Sequence, residues 1–234
     1  MIRKIISFLF VIILAAVIVR IPFVQAGTMS APDEPVLFIV DFSNSMSEKF
    51  QGVRKIDMHM DTVNELLPQI PESKKLGLRV YGHKMGVTPI QACRASALKV
   101  PIQEGSATLI QKTLTSLKPT GWTPITYSLK QAVANDFKGY EDKKKRIVLL
   151  SDGGENCDES PCDYVMHLMK TRDDISIDVI AFAVDDTEAG NQLKCTALVT
   201  SGKFHRADTA AELKRSLSDT LDAQKEVEGR ILLP

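Results

Sequence analysis

Val36-Leu37-Phe38-Ile39-Val40, followed at once by Asp41-Phe42-Ser43-Asn44-Ser45, is the stretch on which the fold turns. Five consecutive apolar residues, three of them β-branched, read as a strand buried on both faces, the pattern of a parallel sheet. A carboxylate and two hydroxyls then fall in the loop at the strand's carboxyl end. Open α/β sheets bind ligands in the crevice outside those ends. A serine-rich turn is the plain alternative, and D-x-S-x-S alone does not exclude it.

Two later loops add what the first lacks. Gly121-Trp122-Thr123-Pro124-Ile125 offers a hydroxyl at a helix start, and Ile147-Val148-Leu149-Leu150-Ser151-Asp152-Gly153 repeats the pattern of an apolar strand ending in a carboxylate. In this order, Asp41, Ser43, Ser45, Thr123 and Asp152 resemble the metal-ion-dependent adhesion site of von Willebrand factor A (vWA) domains. The resemblance implies that these five residues hold a metal. An all-oxygen donor set suits a hard cation such as Mg²⁺, Mn²⁺ or Ca²⁺ rather than zinc.

It also implies that the hydroxyls touch the ion while the aspartates often act through water, so the ion keeps positive charge and seeks an Asp or Glu of a partner protein. The expected function is therefore a divalent-metal-dependent protein-binding module for adhesion or recognition. Gly77-Leu78-Arg79-Val80-Tyr81-Gly82-His83, Cys93, and Cys157 with Pro161-Cys162 further resemble a bacterial exported vWA subfamily. Asn44 departs from the glycine that the family often carries, which matters only if the turn requires a positive φ.

Working outward, strands and helices alternate. Lys55 to Leu67 reads as a helix stopped by Pro68, and Leu76 to Gly82 as the second strand; after a loop from His83 to Arg94, Ala97 to Ile102 returns as an edge strand, antiparallel in the family. Thr108 to Leu117 reads as a helix with Leu109, Leu114 and Leu117 inward. Pro124 opens the next helix, whose buried stripe is Ile125, Leu129, Ala132 and Val133. Arg146 to Leu150 and Ile175 to Val184 are further strands, with a helix from Ser160-Pro161 between them. Glu188 to Thr200 is a helix capped by Gly202, Lys203 to Arg206 a short last strand, and Thr209 to Lys225 an amphipathic helix. The expected fold is a doubly wound, Rossmann-like, mostly parallel six-stranded sheet with one antiparallel edge strand and helices on both faces.

Residues 1–26 stand apart. Arg3 and Lys4 precede an apolar core, and Val24-Gln25-Ala26 has the small residues of a cleavage site, so the segment reads as a signal peptide. An uncleaved membrane anchor is the other reading, since the apolar run interrupted by Arg20 approaches the span of about 20 residues. The remaining organisation is a linker at 27–35, one vWA domain at 36–226 and a tail at 227–234. All 29 acidic residues follow residue 26 and three basic ones precede it, leaving 26 minus 29, or −3. Nucleic acid is a poor partner for such a chain, and membrane contact is expected only through the amino-terminal segment.

Four cysteines in an exported chain read as two disulfides. Topology favours Cys93 with Cys157 and Cys162 with Cys195, the local pair Cys157–Cys162 being the alternative and zinc a lesser one. Trp122 reads equally as core or as an exposed contact beside the metal. Enzyme signatures are lacking: no nucleophile elbow, P-loop or dinucleotide motif is present, and Ser43 stands where strand-end phosphatases need a second Asp. No catalysis is expected, metal-assisted phosphoester hydrolysis being the lesser alternative. A second binding reading is a membrane-anchored subunit of a chaperone- or channel-associated envelope complex.

Overall fold

The structure, a computed structural model, describes residues 34–221. The leader or anchor at 1–26, most of the linker and the tail lie outside the described residues. The main sheet is built from β1 (Val36–Asp41), β4 (Leu76–Tyr81), β5 (Ser96–Gln103), β6 (Lys145–Ser151), β7 (Ile175–Phe182) and β8 (Phe204–Ala207). Between β1 and β4 stands a two-residue hairpin, β2 (Lys49–Phe50) and β3 (Val53–Arg54). The sheet order is β5-β4-β1-β6-β7-β8, with every pair parallel except β4 with β5. The mostly parallel, doubly wound arrangement with an antiparallel edge is therefore as expected.

The apolar run of β1 is buried along its whole length because it serves two cores. Val36, Phe38 and Val40 pack with Ile56, Val63 and Leu66 of α1 (Lys55–Leu66), Ile110 and Leu114 of α3 (Ala107–Thr115), and Leu213 and Leu217 of α7 (Ala210–Leu221). Leu37 and Ile39 face Ile125 and Leu129 of α4 (Ile125–Gln131), Val165 of α5 (Pro161–Leu168), and Leu193 and Ala197 of α6 (Thr187–Val199). The one remaining α-helix among the described residues, α2 (Pro89–Ala92), is a single turn within the segment that the sequence reads as a loop. Period-two side-chain alternation distributes a continuous apolar run between the two layers.

Several details differ from expectation. Leu109 is exposed and Ile110 takes its place, because Ile110 and Leu114 are one helical turn apart while Leu109 lies about 100° away around the axis. At the end of α6 the left-handed residue is Ser201 (φ 57°), not Gly202. Ser201 N donates to Leu198 O and Gly202 N to Ala197 O, the Schellman pattern. Gly202 is needed for space: a Cβ there would lie 2.0 Å from Ile177 O of β7. Pro124 occupies the cap position just before α4 rather than its first turn, and α4 continues as a π-helical segment, Ala132–Asp136.

His59 of α1 is buried in the first core among Phe38, Val63 and Leu217, and its Nε2 has no hydrogen-bond partner. Burial pushes it down to about 4. The unfolded chain binds this proton from about pH 6.5 downward while the folded chain refuses it until about pH 4. Stability is thus fully present above pH 6.5 and is lost as pH falls, by up to about 3 kcal/mol. His59→Leu removes the group, so the stability of the variant relative to the parent is expected to rise by about 2–3 kcal/mol between pH 7 and 4.5. Urea unfolding at both pH values measures it, and a pH-independent difference would contradict the assignment.

Candidate metal centre

From β1 the chain proceeds outward through β4 to β5, then returns to β6 on the other flank of β1 and proceeds outward again. The strand order reverses between β1 and β6, which opens a crevice at their carboxyl ends. Asp41 ends β1 and Asp152 follows β6, so the two carboxylates flank this switch point.

Hydrogen bonds join four of the five candidate residues. Ser43 N donates to Asp41 Oδ1 at 2.7 Å, the Ser43 and Ser45 hydroxyls are 2.9 Å apart, and Ser45 Oγ donates to Asp152 Oδ1 at 2.8 Å. Thr123, buried like Asp41, Ser43 and Asp152, is placed through its backbone. Gly121 bridges to Ser43, Asn44 N donates to Gly121 O at 2.9 Å, and Thr123 N donates to Asn156 Oδ1 at 2.8 Å. Gly82, at φ 69°, is the backbone against which the first loop lies: a Cβ there would stand 2.4 Å from Ser43 N. Asn44 begins a 3₁₀ turn without a positive φ, so its departure from glycine is tolerated.

The electrostatics are those of a site short of positive charge. Burial, then the nearby Asp152 carboxylate, pushes Asp41 up to about 6. Three donors hold Asp41 in place: Ser43 N on Oδ1, and Tyr81 OH at 2.9 Å and Ser151 Oγ at 2.8 Å on Oδ2. Lys55, the first residue of α1, brings an ammonium to the other carboxylate, 3.0 Å from Asp152 Oδ2. Two carboxylates and one ammonium leave a formal charge of −1. A divalent cation at these oxygens would remove the carboxylate repulsion that raises Asp41.

The donor set fits such an ion. Among the described residues no group of three or more His, Cys, Asp or Glu side chains could hold a metal, and this site has only two carboxylates beside three hydroxyls. That composition suits a hard cation better than a soft one.

No family model matches the chain. It is 29% identical over 189 residues to YwmD, an uncharacterized protein of Bacillus subtilis (strain 168), a match covering 79% of this chain and 83% of that one. Among solved structures, a von Willebrand factor type A structure from Catenulispora acidiphila aligns with a TM-score of 0.63 at 16% identity, over 80% of this chain and 42% of the other. The fold is that of a vWA domain. Proximal thread matrix protein 1 of the mussel byssus, solved with a zinc-occupied MIDAS motif, aligns with this chain at a TM-score of 0.61 and 15% identity, over 82% of this chain and 46% of that one. The pilus adhesin SpaC of Lactobacillus rhamnosus GG gives 0.63 and 14%, over 81% of this chain and 30% of that one.

Both disulfides pair as topology favoured, Cys93–Cys157 and Cys162–Cys195, which fits an oxidising compartment. The first ties the β4–β5 loop to the loop after β6, beside Asn156. Residues that support the site escaped the sequence reading: Lys55, Tyr81, Ser151, Asn156 and Glu155. Glu155 accepts from Thr126 N at 2.7 Å, capping α4 where Pro124 offers no side-chain acceptor, and its burial raises it above the usual carboxylate range. Trp122 is 43% exposed, so its place is the rim rather than the core.

Proposed function

We propose that this vWA domain binds a partner protein through a divalent cation, Mg²⁺ or alternatively Mn²⁺ or Ca²⁺, held by Asp41, Ser43, Ser45, Thr123 and Asp152. The observation that carries this reading is the convergence, at the switch point, of two buried carboxylates and three hydroxyl-bearing residues, with Asp41 pushed up to about 6. When bound, the cation supplies an acceptor for one outside oxygen ligand. Lys55 makes that ligand anionic: two carboxylates, one ammonium and a divalent ion sum to +1, which a single Asp or Glu of a partner neutralises.

The zinc-occupied site of the mussel protein and the adhesin role of SpaC support a metal-bearing, protein-binding reading of the fold. The reading is of binding without turnover. Asp41 already accepts three hydrogen bonds, which blunts it as a nucleophile.

Titration calorimetry with Mg²⁺, Mn²⁺ and Zn²⁺ on the parent beside Asp41→Ala/Ser43→Ala tests the proposal. The parent is expected to bind one hard cation per chain and the double variant to lose it. Equal binding by both proteins would count against the assigned donors, and zinc binding alone against a hard cation.

A further inference from the structure

Eight large apolar side chains are exposed among the described residues, and four of them lie on two loops, after β4 and before α4, whose bases are hydrogen-bonded to each other beside Ser43. Met85, Val87 and Ile90, at 82%, 94% and 67% exposure, all lie on the segment between β4 and β5, and Trp122 is next to Thr123. The other four, Val53, Leu109, Met166 and Leu198, are scattered over separate elements. A cluster at one place asks for an explanation that scattered residues do not.

The segment is held, not loose. Thr88 Oγ1 accepts from Gln91 N at 3.3 Å, Gln91 Oε1 accepts from Val87 N at 3.0 Å, and the Cys93–Cys157 disulfide anchors its end. Gly121 N donates to Gly82 O at 2.6 Å, so this segment and the Trp122 loop are joined at their bases.

Charge gives the patch a direction. From His83 to Gln103 the ionisable side chains are His83, Lys84, Arg94 and Lys99, with no Asp or Glu. The loop after β7 and the first turn of α6, on the opposite flank of β1, carry exposed Asp185, Asp186 and Glu188. A ligand reaching the site thus meets apolar and basic surface on the β4 flank and acidic surface on the β7 flank.

We infer that the partner is a protein segment whose bridging Asp or Glu is flanked on one side by apolar side chains, which seat on Met85, Val87, Ile90 and Trp122. This rests on the metal-bridging function proposed above and adds the chemistry of its ligand. Continuity with the metal site supplies the carboxylate, the basic flank favours an acidic segment, and exposed apolar groups on a hydrogen-bonded, disulfide-anchored loop supply affinity. The acidic β7 flank argues against an anionic lipid surface.

A display library of linear peptides with a fixed central Asp and randomised flanks, selected on the Mg²⁺-loaded protein, tests it. The expected result is enrichment of apolar residues on one side of the Asp. A selected peptide should lose affinity about tenfold or more on Met85→Ser/Val87→Ser/Ile90→Ser, with Mg²⁺ affinity unchanged by calorimetry. Met166→Ser/Leu198→Ser, also exposed but on α5 and α6, should bind as the parent does.

EDTA-sensitive selection without apolar flanks, or a triple variant that binds as well as the parent, would overturn the inference and leave metal bridging standing. Rim-dependent binding that survives EDTA would overturn both. The inference also fails if no peptide is enriched, if phosphatidylglycerol vesicles sediment with the parent but not with the triple variant, or if the patch proves to join two copies by sedimentation velocity.

Discussion

Lys55→Met is expected to lower the stability of the metal-free protein by about 3–5 kcal/mol, because it leaves the Asp152 carboxylate buried and unpaired beside Asp41. For a domain of this size that is a fall in Tm on the order of 10 °C. Saturating Mg²⁺ should restore most of the loss, since the ion supplies the missing positive charge. The same substitution removes a cation from the neighbourhood of the incoming one, so Mg²⁺ should bind about tenfold tighter or better. Thermal melts with and without Mg²⁺ read both effects. A fall in Tm that Mg²⁺ leaves untouched would show that Lys55 serves packing alone and that the carboxylates do not receive the ion.

The second large effect concerns the disulfides, which should separate by function. Cys93–Cys157 closes a sequence separation of 64 residues and Cys162–Cys195 one of 33, so the chain-entropy model assigns each about 4 kcal/mol. Their positions differ. Cys157 adjoins Asn156, whose Oδ1 accepts from Thr123 N, and Cys157 N itself donates to Glu155, which caps α4. Cys162 and Cys195 instead join α5 to α6 beside the second core. Replacing either pair with serines should therefore destabilise comparably, but only Cys93→Ser/Cys157→Ser should weaken Mg²⁺ binding, by roughly tenfold. Equal loss of affinity from both would mean that the disulfide acts on global stability and not on the Thr123 loop.

The two effects show which parts of the molecule a sequence exposes. β1 was legible because a run buried on both faces is apolar at every position, and the candidate donors were legible because each follows such a run or opens a helix. The paired cysteines followed from topology, since helices on one face and loops at one end of a sheet bring their residues together. Lys55 was not legible as part of the site: it reads as an ordinary first residue of a helix, and its partner Asp152 is 97 residues away. Tyr81, Ser151 and Glu155 were hidden for the same reason, each acting through a contact between elements that no local pattern records.

The β2–β3 hairpin went unseen because two-residue strands around Gln51-Gly52 carry no alternation to detect, only a turn with positive φ at both positions. Leucine's apolar character alone points Leu109 inward, yet the face of α3 is set by the phase of Ile110 and Leu114.

Whether a cation is held by the five oxygens is tested most directly by anomalous diffraction from a crystal of the protein grown with MnCl₂. One strong anomalous peak is predicted within bonding reach of the Ser43, Ser45 and Thr123 hydroxyls, close to Asp41 and Asp152. A Mn²⁺ peak elsewhere, or none at saturating MnCl₂ with the Lys55–Asp152 pair closed across the crevice, would contradict it.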